Sequence, residues 1–316
     1  MLRRPFLKLL PYAAVFAGCT KAVKADVMEQ LREMAKSRDL VLLTSRMDAF
    51  NLDMTSAGPL ELWENSDSIQ IPLAISPDGG TVVWFPLSSL PAPPTFRSRP
   101  IVAMWNGEQK TYLQYHGTYA QTLCVSSLGD RVFLLVRSTD IPNMRLVQIS
   151  AHKGESVVDL SGFSPELDLS KAENLSTSGD GQRVAIGFRD YVVAKDLASG
   201  QALVQRPGRF PKLSPDGRRI AFVTPDQRMT VHDLDSGREQ YFLESRTTYG
   251  VGGWSPDGRF IIAGSRPFAR LTKRLTIVDS STGAFVELYG LSEGDFGSRF
   301  AWIRRHLLSA EGKKSR

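Results

Sequence analysis

The sequence predicts an all-β protein: a six-bladed β-propeller whose ring is closed by its N- and C-terminal strands, with one short helix ahead of it. Two observations carry that prediction. The phrase Ser-Pro-Asp-Gly stands at Ser76, Ser214 and Ser255, with degenerate copies at Ser126 and Ser178. The copies start 50, 52, 36 and 41 residues apart, which is the period of a four-stranded propeller blade. The composition agrees with a packed domain. Of 316 residues, 42% are apolar and 23% charged, which supplies a sizeable core and excludes a disordered or collagen-like chain. No apolar run reaches the roughly 18 to 20 residues of a spanning helix.

Residues 1–18 read as a signal peptide. A cationic start leads into an apolar run from Leu9 to Gly18 and ends on small residues before Cys19. Arg3-Arg4-Pro5-Phe6-Leu7-Lys8 resembles the twin-arginine export motif, and Phe16-Ala17-Gly18-Cys19 resembles a bacterial lipobox, in which the Cys19 thiol takes a diacylglycerol. Two plainer readings stay open: a general secretory signal cut after Ala25, and a buried first helix of a cytosolic protein. A lipid on Cys19 would hold the chain at a membrane surface without a spanning segment. Thr20 stands where Asp commonly retains lipoproteins at the inner membrane, so the expected place is the periplasm, at the outer membrane if the host has one. Simple cleavage would leave a soluble periplasmic protein.

Residues 19–39 then serve as a tether. Met28, Leu31, Met34 and Ala35 recur at helical spacing, which predicts a short helix from Asp26 to Arg38 with its apolar stripe packed on the domain. The propeller is expected over residues 40–302, and residues 303–316 as a frayed basic tail.

Within the repeats, the phrase is a hairpin turn. Pro presets φ at the first corner, Asp accepts neighbouring N–H groups, and Gly takes the positive φ that reverses the chain. Strand-like runs follow each copy, such as Val82 to Phe85, Val132 to Leu135 and Ile261 to Gly264. A further strand then ends at a second Gly turn, at Gly107, Gly154, Gly200, Gly237 and Gly283. A sixth copy is split between the chain ends. Leu40 to Ser45 and Leu60 to Glu64 read as strands with no phrase ahead of them, while Ser298 to Trp302 resembles a strand that should precede one. Together they complete a blade and leave no open sheet edge in the ring.

The phrase followed by a strand resembles the WD-like repeat of TolB-type propellers, which also occurs in the propellers of prolyl oligopeptidases. The resemblance spans about residues 40 to 302. TolB proteins carry a further N-terminal α/β domain and the oligopeptidases a hydrolase domain. This chain has room for neither, so peptidase activity is not carried over. What the resemblance implies is an envelope protein whose propeller binds another protein, and it speaks to fold more than to function.

A site is expected on the face away from the phrases. That face receives Arg46 to Pro59, Pro86 to Pro100, Asp159 to Lys171, Ser265 to Arg274 and Tyr289 to Gly297, and long loops on a rigid scaffold carry function. Residues four and five places before each phrase mark the channel mouth. They include Gln121, Glu173, Asn174, Arg209 and Arg299, a polar set whose arginines can grip a carboxylate or phosphate through paired hydrogen bonds. The bland alternative is a solvated rim with local ion pairs. Arg266, Arg270, Lys273 and Arg274 form the densest basic cluster, and Arg270 is carried as a contact to an acidic partner or lipid.

Enzyme signals are scarce. His116, His152, His232 and His306 fall in different repeats, and no HExxH, GxSxG, Walker loop or GxGxxG is present. Asp295-Phe296-Gly297 matches a kinase triplet with no other kinase element beside it. No metal or cofactor is expected, and Cys124 reads as a small buried hydrophobe. The phrase residues Asp78, Asp180, Asp216 and Asp257 read as turn acceptors. The formal charge of +6 includes Arg3, Arg4 and Lys8 of the leader, and with no basic cluster interleaved with aromatics it does not point to nucleic acid. The reading is therefore a non-enzymatic, membrane-tethered propeller that binds a protein or cell-envelope component through its long-loop face. A hydrolase or lyase with its site at the channel mouth is the alternative.

Overall fold

The computed structural model describes residues 26–43, 48–53, 55–59, 73–84, 101–115, 119–127, 129–137, 145–150, 154–158, 160, 168–243, 246–267, 274–288 and 301–308. Near the N-terminus lie β1 (Leu40–Leu43), β2 (Asp48–Phe50) and β3 (Ser56–Pro59). Blade 1 holds β4 (Leu73–Ile75), β5 (Val82–Trp84), β6 (Ile101–Trp105) and β7 (Lys110–Gln114). Blade 2 holds β8 (Tyr119–Val125), β9 (Val132–Arg137), β10 (Arg145–Ser150) and β11 (Gly154–Val157). Blade 3 holds β12 (Ala172–Thr177), β13 (Arg183–Phe188), β14 (Tyr191–Asp196) and β15 (Ala202–Pro207). Blade 4 holds β16 (Arg209–Leu213), β17 (Arg219–Val223), β18 (Met229–Asp233) and β19 (Glu239–Phe242). Blade 5 holds β20 (Arg246–Trp254), β21 (Phe260–Pro267), β22 (Arg274–Asp279) and β23 (Phe285–Leu288). The sixth sheet joins the chain ends in the order β24 (Ala301–Arg304), β1, β2, β3. First strands of successive blades lie side by side, and β24 meets both β20 and β4, so the ring is closed.

Each phrase does what its residues dictate. The Ser hydroxyl donates to the Asp carboxylate at 2.6 Å in Ser76–Asp78 and at 2.5 Å in Ser178–Asp180, Ser214–Asp216 and Ser255–Asp257. The same carboxylate accepts a backbone N–H two residues on, from Gly80, Gln182, Arg218 or Arg259. The phrase glycine is left-handed in all five copies, with φ from +66° to +73°. In the degenerate copy at Ser126 the acceptor has moved to Asp130, at 2.7 Å, and the turn survives.

Closure is antiparallel, with Leu40 opposite Arg304 and Leu43 opposite Ala301. The described closing strand, Ala301–Arg304, runs past Trp302, and Ser298 to Phe300 lie outside the described residues. Beyond it, Arg305–Leu307 forms a 3-10 turn that buries Leu307 in the core, so the chain stays on the ring past residue 302 instead of fraying there. The other half of this blade also differs from expectation. Its second and third strands are Asp48–Phe50 and Ser56–Pro59, within the stretch read as a long loop, while Leu60 to Glu64 lies outside the described residues. A polar hairpin replaces the expected loop. Asn51 N–H donates to the Thr55 carbonyl at 2.9 Å, and Asp53 accepts from the Thr55 hydroxyl at 2.6 Å, a turn with no Gly or Pro to announce it.

Apolar layers fill the spaces between blades. Phe133, Leu135, Leu175 and Ile186 join blades 2 and 3, while Val251, Trp254, Ile261 and Val223 join blades 4 and 5. The predicted helix spans residues 26–37 and covers the seam between blade 5 and the closing blade. Val27, Leu31, Met34 and Ala35 are buried against Leu42, Ile262, Leu275 and Trp302. Its stripe is therefore spent on the propeller.

Candidate functional site

The expected site lies at the ends of the first strands away from the phrases. Backbone irregularity marks that level in four neighbouring blades. In β8, Ala120 pairs with Val136 and Thr122 with Leu135, which leaves Gln121 as the extra residue of a bulge. In β12 the extra residue is Glu173, between Ala172 and Asn174. In β16 the register shifts between Arg209 and Lys212, across Phe210 and Pro211, and in β20 it shifts around Tyr249 and again around Gly252. Bulges re-aim side chains and gather at barrel rims and binding sites. Sequence pattern missed them, although Pro211 and the Gly250-Val251-Gly252-Gly253 run are residues that a regular ladder does not favour.

Blade 4 shows how the bulge is held. Phe210 sits at φ +56°, a left-handed conformation that costs a bulky residue on the order of 1 to 2 kcal/mol. Tertiary contacts hold it there. Phe210 packs against the apolar layer between blades 4 and 5, and Pro211 occupies the space beside Gly187 of blade 3. A Cβ on Gly187 would fall 2.4 Å from Pro211 Cδ, so that glycine is what lets the two blades meet.

Of the residues expected at the mouth, Gln121, Glu173, Asn174 and Arg209 are carried by first strands of three consecutive blades, β8, β12 and β16. Glu173 is exposed, and Asn174 and Arg209 are half-buried. Arg209 lies 5.5 Å from the centroid of its neighbour Phe210. Glu173 and Arg209 form no ion pair with each other, although their strands are adjacent in the ring. Arg299, Arg270 and Cys19 lie outside the described residues. Arg266 and Arg274 belong to strands β21 and β22, where Arg274 pairs with Ser265, so the basic cluster is not wholly a loop. Arg266 lies over the Tyr249 ring at 5.7 Å, beside the bulge of blade 5.

Deeper on the same strand stands Lys212, which the sequence reading passed over. It is half-buried, and loss of water around it holds its amine below the ordinary lysine range, an effect that the charge of an ionised Cys124 would oppose. Burial drives the Cys124 thiol well above its ordinary range, which keeps it protonated and unsuited to act as a nucleophile. Among the described residues, no group of three His, Cys, Asp or Glu side chains is placed to hold a metal ion.

No protein-family model matches the chain. Among curated proteins, the meiotic recombination protein rec14 of Schizosaccharomyces pombe is 27% identical over 161 residues, which is 50% of this chain and 45% of that protein. Among solved structures, TolB from Acinetobacter baumannii superposes with a TM-score of 0.55 at 15% identity, covering 84% of this chain and 65% of that one. The putative TolB from Agrobacterium tumefaciens gives a TM-score of 0.50 at 13% identity, covering 79% and 87%. The chain thus spans less than half of the curated relative and just under two thirds of the Acinetobacter protein. Sheet order, ring closure and these superpositions together identify the chain as a six-bladed β-propeller of the TolB fold.

Proposed function

We propose that this propeller is a non-enzymatic binding module of the cell envelope, tethered to a membrane through Cys19, that holds a protein or envelope component on its long-loop face. One observation carries the reading. Bulged first strands in consecutive blades carry Gln121 in their backbone and present Glu173, Asn174 and Arg209 at one end of the ring, with Glu173 and Arg209 not paired to each other. Charges that form no ion pair among the described residues, on a ring scaffold, are what a partner needs for orientation and register. The export and lipobox motifs supply the address, and Arg270 and Arg299, which the sequence assigns to the long-loop face, are offered as further contacts.

The test uses the native full-length protein beside Cys19→Ala and a charge-reversed form, Arg209→Glu with Arg270→Glu and Arg299→Glu. The expected native form carries a diacylated Cys19, sits in the membrane fraction and crosslinks to an envelope protein. Charge reversal is expected to abolish the crosslink without altering thermal stability. An unlipidated soluble protein would remove the tether, and an undiminished crosslink would remove the site.

A further inference from the structure

Two residues ahead of each phrase serine, the first strands of blades 1 to 5 carry Ala74, Cys124, Ser176, Lys212 and Gly253. Four of these are small, and the ring brings those of blades 2, 3 and 4 to adjacent strands. Lys212 pairs with Ala221 in its own sheet, Ser176 with Ala185 and Cys124 with Phe133, so the three occupy one level of the ring. Cys124 and Lys212 stand on either side of the blade 3 strand that carries Ser176.

The polar side chains at this level, Cys124, Ser176 and Lys212, can all donate and none carries negative charge. Lys212 offers three N–H groups, and its amine makes no hydrogen bond or ion pair among the described residues. Ser176 Oγ accepts from the Leu213 N–H at 2.9 Å and still has its own hydrogen to give. Cys124 keeps its S–H, a weak donor. The nearest cation on the same strand, Arg209, adds charge of the same sign, and Glu173 lies exposed three residues before Ser176 toward the mouth. A half-buried cation on one ring level with donors of blades 2 and 3, and with no acidic side chain among Ala74, Cys124, Ser176 and Gly253, is answered by an acceptor with negative charge.

We infer that the channel holds a small oxyanion of the carboxylate or phosphate class on Lys212, with Ser176 as a second donor. A divalent cation would be repelled there, and a neutral sugar would leave the charge unanswered. This site lies inside the ring and stands apart from capture of a protein partner at the mouth.

The experiment titrates the purified full chain with inorganic phosphate and with acetate, by calorimetry, near neutral pH and near pH 10. Saturable binding is expected for at least one of them, weakened about tenfold or more in Lys212→Met and more modestly in Ser176→Ala. Lys171→Met, a change at an exposed lysine, should bind as the unaltered chain does. Affinity should also fall as pH rises and the amine loses its proton, earlier than for an ordinary lysine. Absence of saturable binding by either anion would overturn the inference, as would equal binding by Lys212→Met. Should that variant not fold, Ser176→Ala and the pH series on the unaltered chain decide, and an affinity indifferent to both overturns it. Loss of partner crosslinking with anion binding intact would instead count against the proposed function alone.

Discussion

Arg183 of blade 3 donates through Nη1 to the carbonyl oxygen of Gly217, in the turn phrase of blade 4, at 2.9 Å. The relationship recurs around the ring. Arg131 reaches Gly181 at 3.2 Å and Arg219 reaches Gly258 at 2.6 Å, each arginine standing five residues after its own phrase serine. A carbonyl held in a left-handed turn faces the next blade, and a guanidinium with five donors can take it while pairing elsewhere. Arg183 does so, with Asp196 at 3.4 Å and Asp235 at 3.2 Å.

Removing that clasp should loosen one seam of the ring. Arg183→Ala is expected to cost about 1 to 3 kcal/mol in denaturant unfolding, since a charge-assisted bond and two ion pairs go together. Lys at the same position should recover only part of the loss, because it lacks the fork. A melting temperature unchanged in Arg183→Ala would show the contact to be passive.

The helix over residues 26–37 should behave as part of the propeller. Leu31 is fully buried in the layer that joins blade 5 to the closing blade, and Leu31→Ala is expected to cost about 2 to 5 kcal/mol. Glu29→Ala, on the exposed side, should be neutral within about 0.5 kcal/mol. Equal, small effects in both would mean that the helix contributes nothing to holding the ring.

Acid should unfold the protein through a repeated turn. Asp233 is held below the usual carboxylate range by the hydroxyl and N–H of Ser236, and Asp196 chiefly by the N–H of Ser199. For Asp279 burial pushes upward, but the bonds from Ser281 and Arg259 outweigh it. A lowered folded-state pKa stabilises above the unfolded value near 4, and that contribution is lost as pH falls through the folded value. Stability should therefore drop steeply below about pH 4. Asn at all three positions should be less stable at neutral pH and show a flatter acid limb; an unchanged limb would place the acid sensitivity elsewhere.

Lys212 gives the opposite sign. Its folded pKa is depressed, so between that value and the unfolded value near 10.4 the unfolded chain binds more protons, and stability rises with pH. Cys124 works against it above about pH 8.5, because its raised folded pKa leaves the unfolded thiol to ionise first. Comparing Lys212→Met with the unaltered chain isolates the lysine. In anion-free buffer the variant should be the more stable at neutral pH, with the gap closing as pH rises toward 10. A gap independent of pH would mean that Lys212 titrates in the fold as it does in the unfolded chain.

Most of the ring was legible because its turns are written in local chemistry. Ser-Pro-Asp-Gly specifies a left-handed glycine and a capped turn without reference to anything distant, and the second glycines, Gly107 to Gly283, do the same with φ from +71° to +92°. Short β2 and β3 escaped notice because their hairpin uses Asn51, Asp53 and Thr55 in place of Gly or Pro. The bulges at Gln121, Glu173 and Phe210 could not be read locally, since a bulge is a mismatch with the partner strand. Lys212 was passed over for a related reason. Its place matters only once six first strands surround it, although a lysine aligned with Ala74, Cys124, Ser176 and Gly253 was the available signal.

The central claim is that the long-loop face, and not the phrase face, meets the partner. Photo-crosslinking amino acids placed singly at Glu173 on one face and at Asp257 on the other, in the full-length protein in intact cells, test it most directly. The account predicts one discrete crosslinked envelope protein from position 173 and none from position 257. The same product from position 257 alone, or none from either, would contradict it.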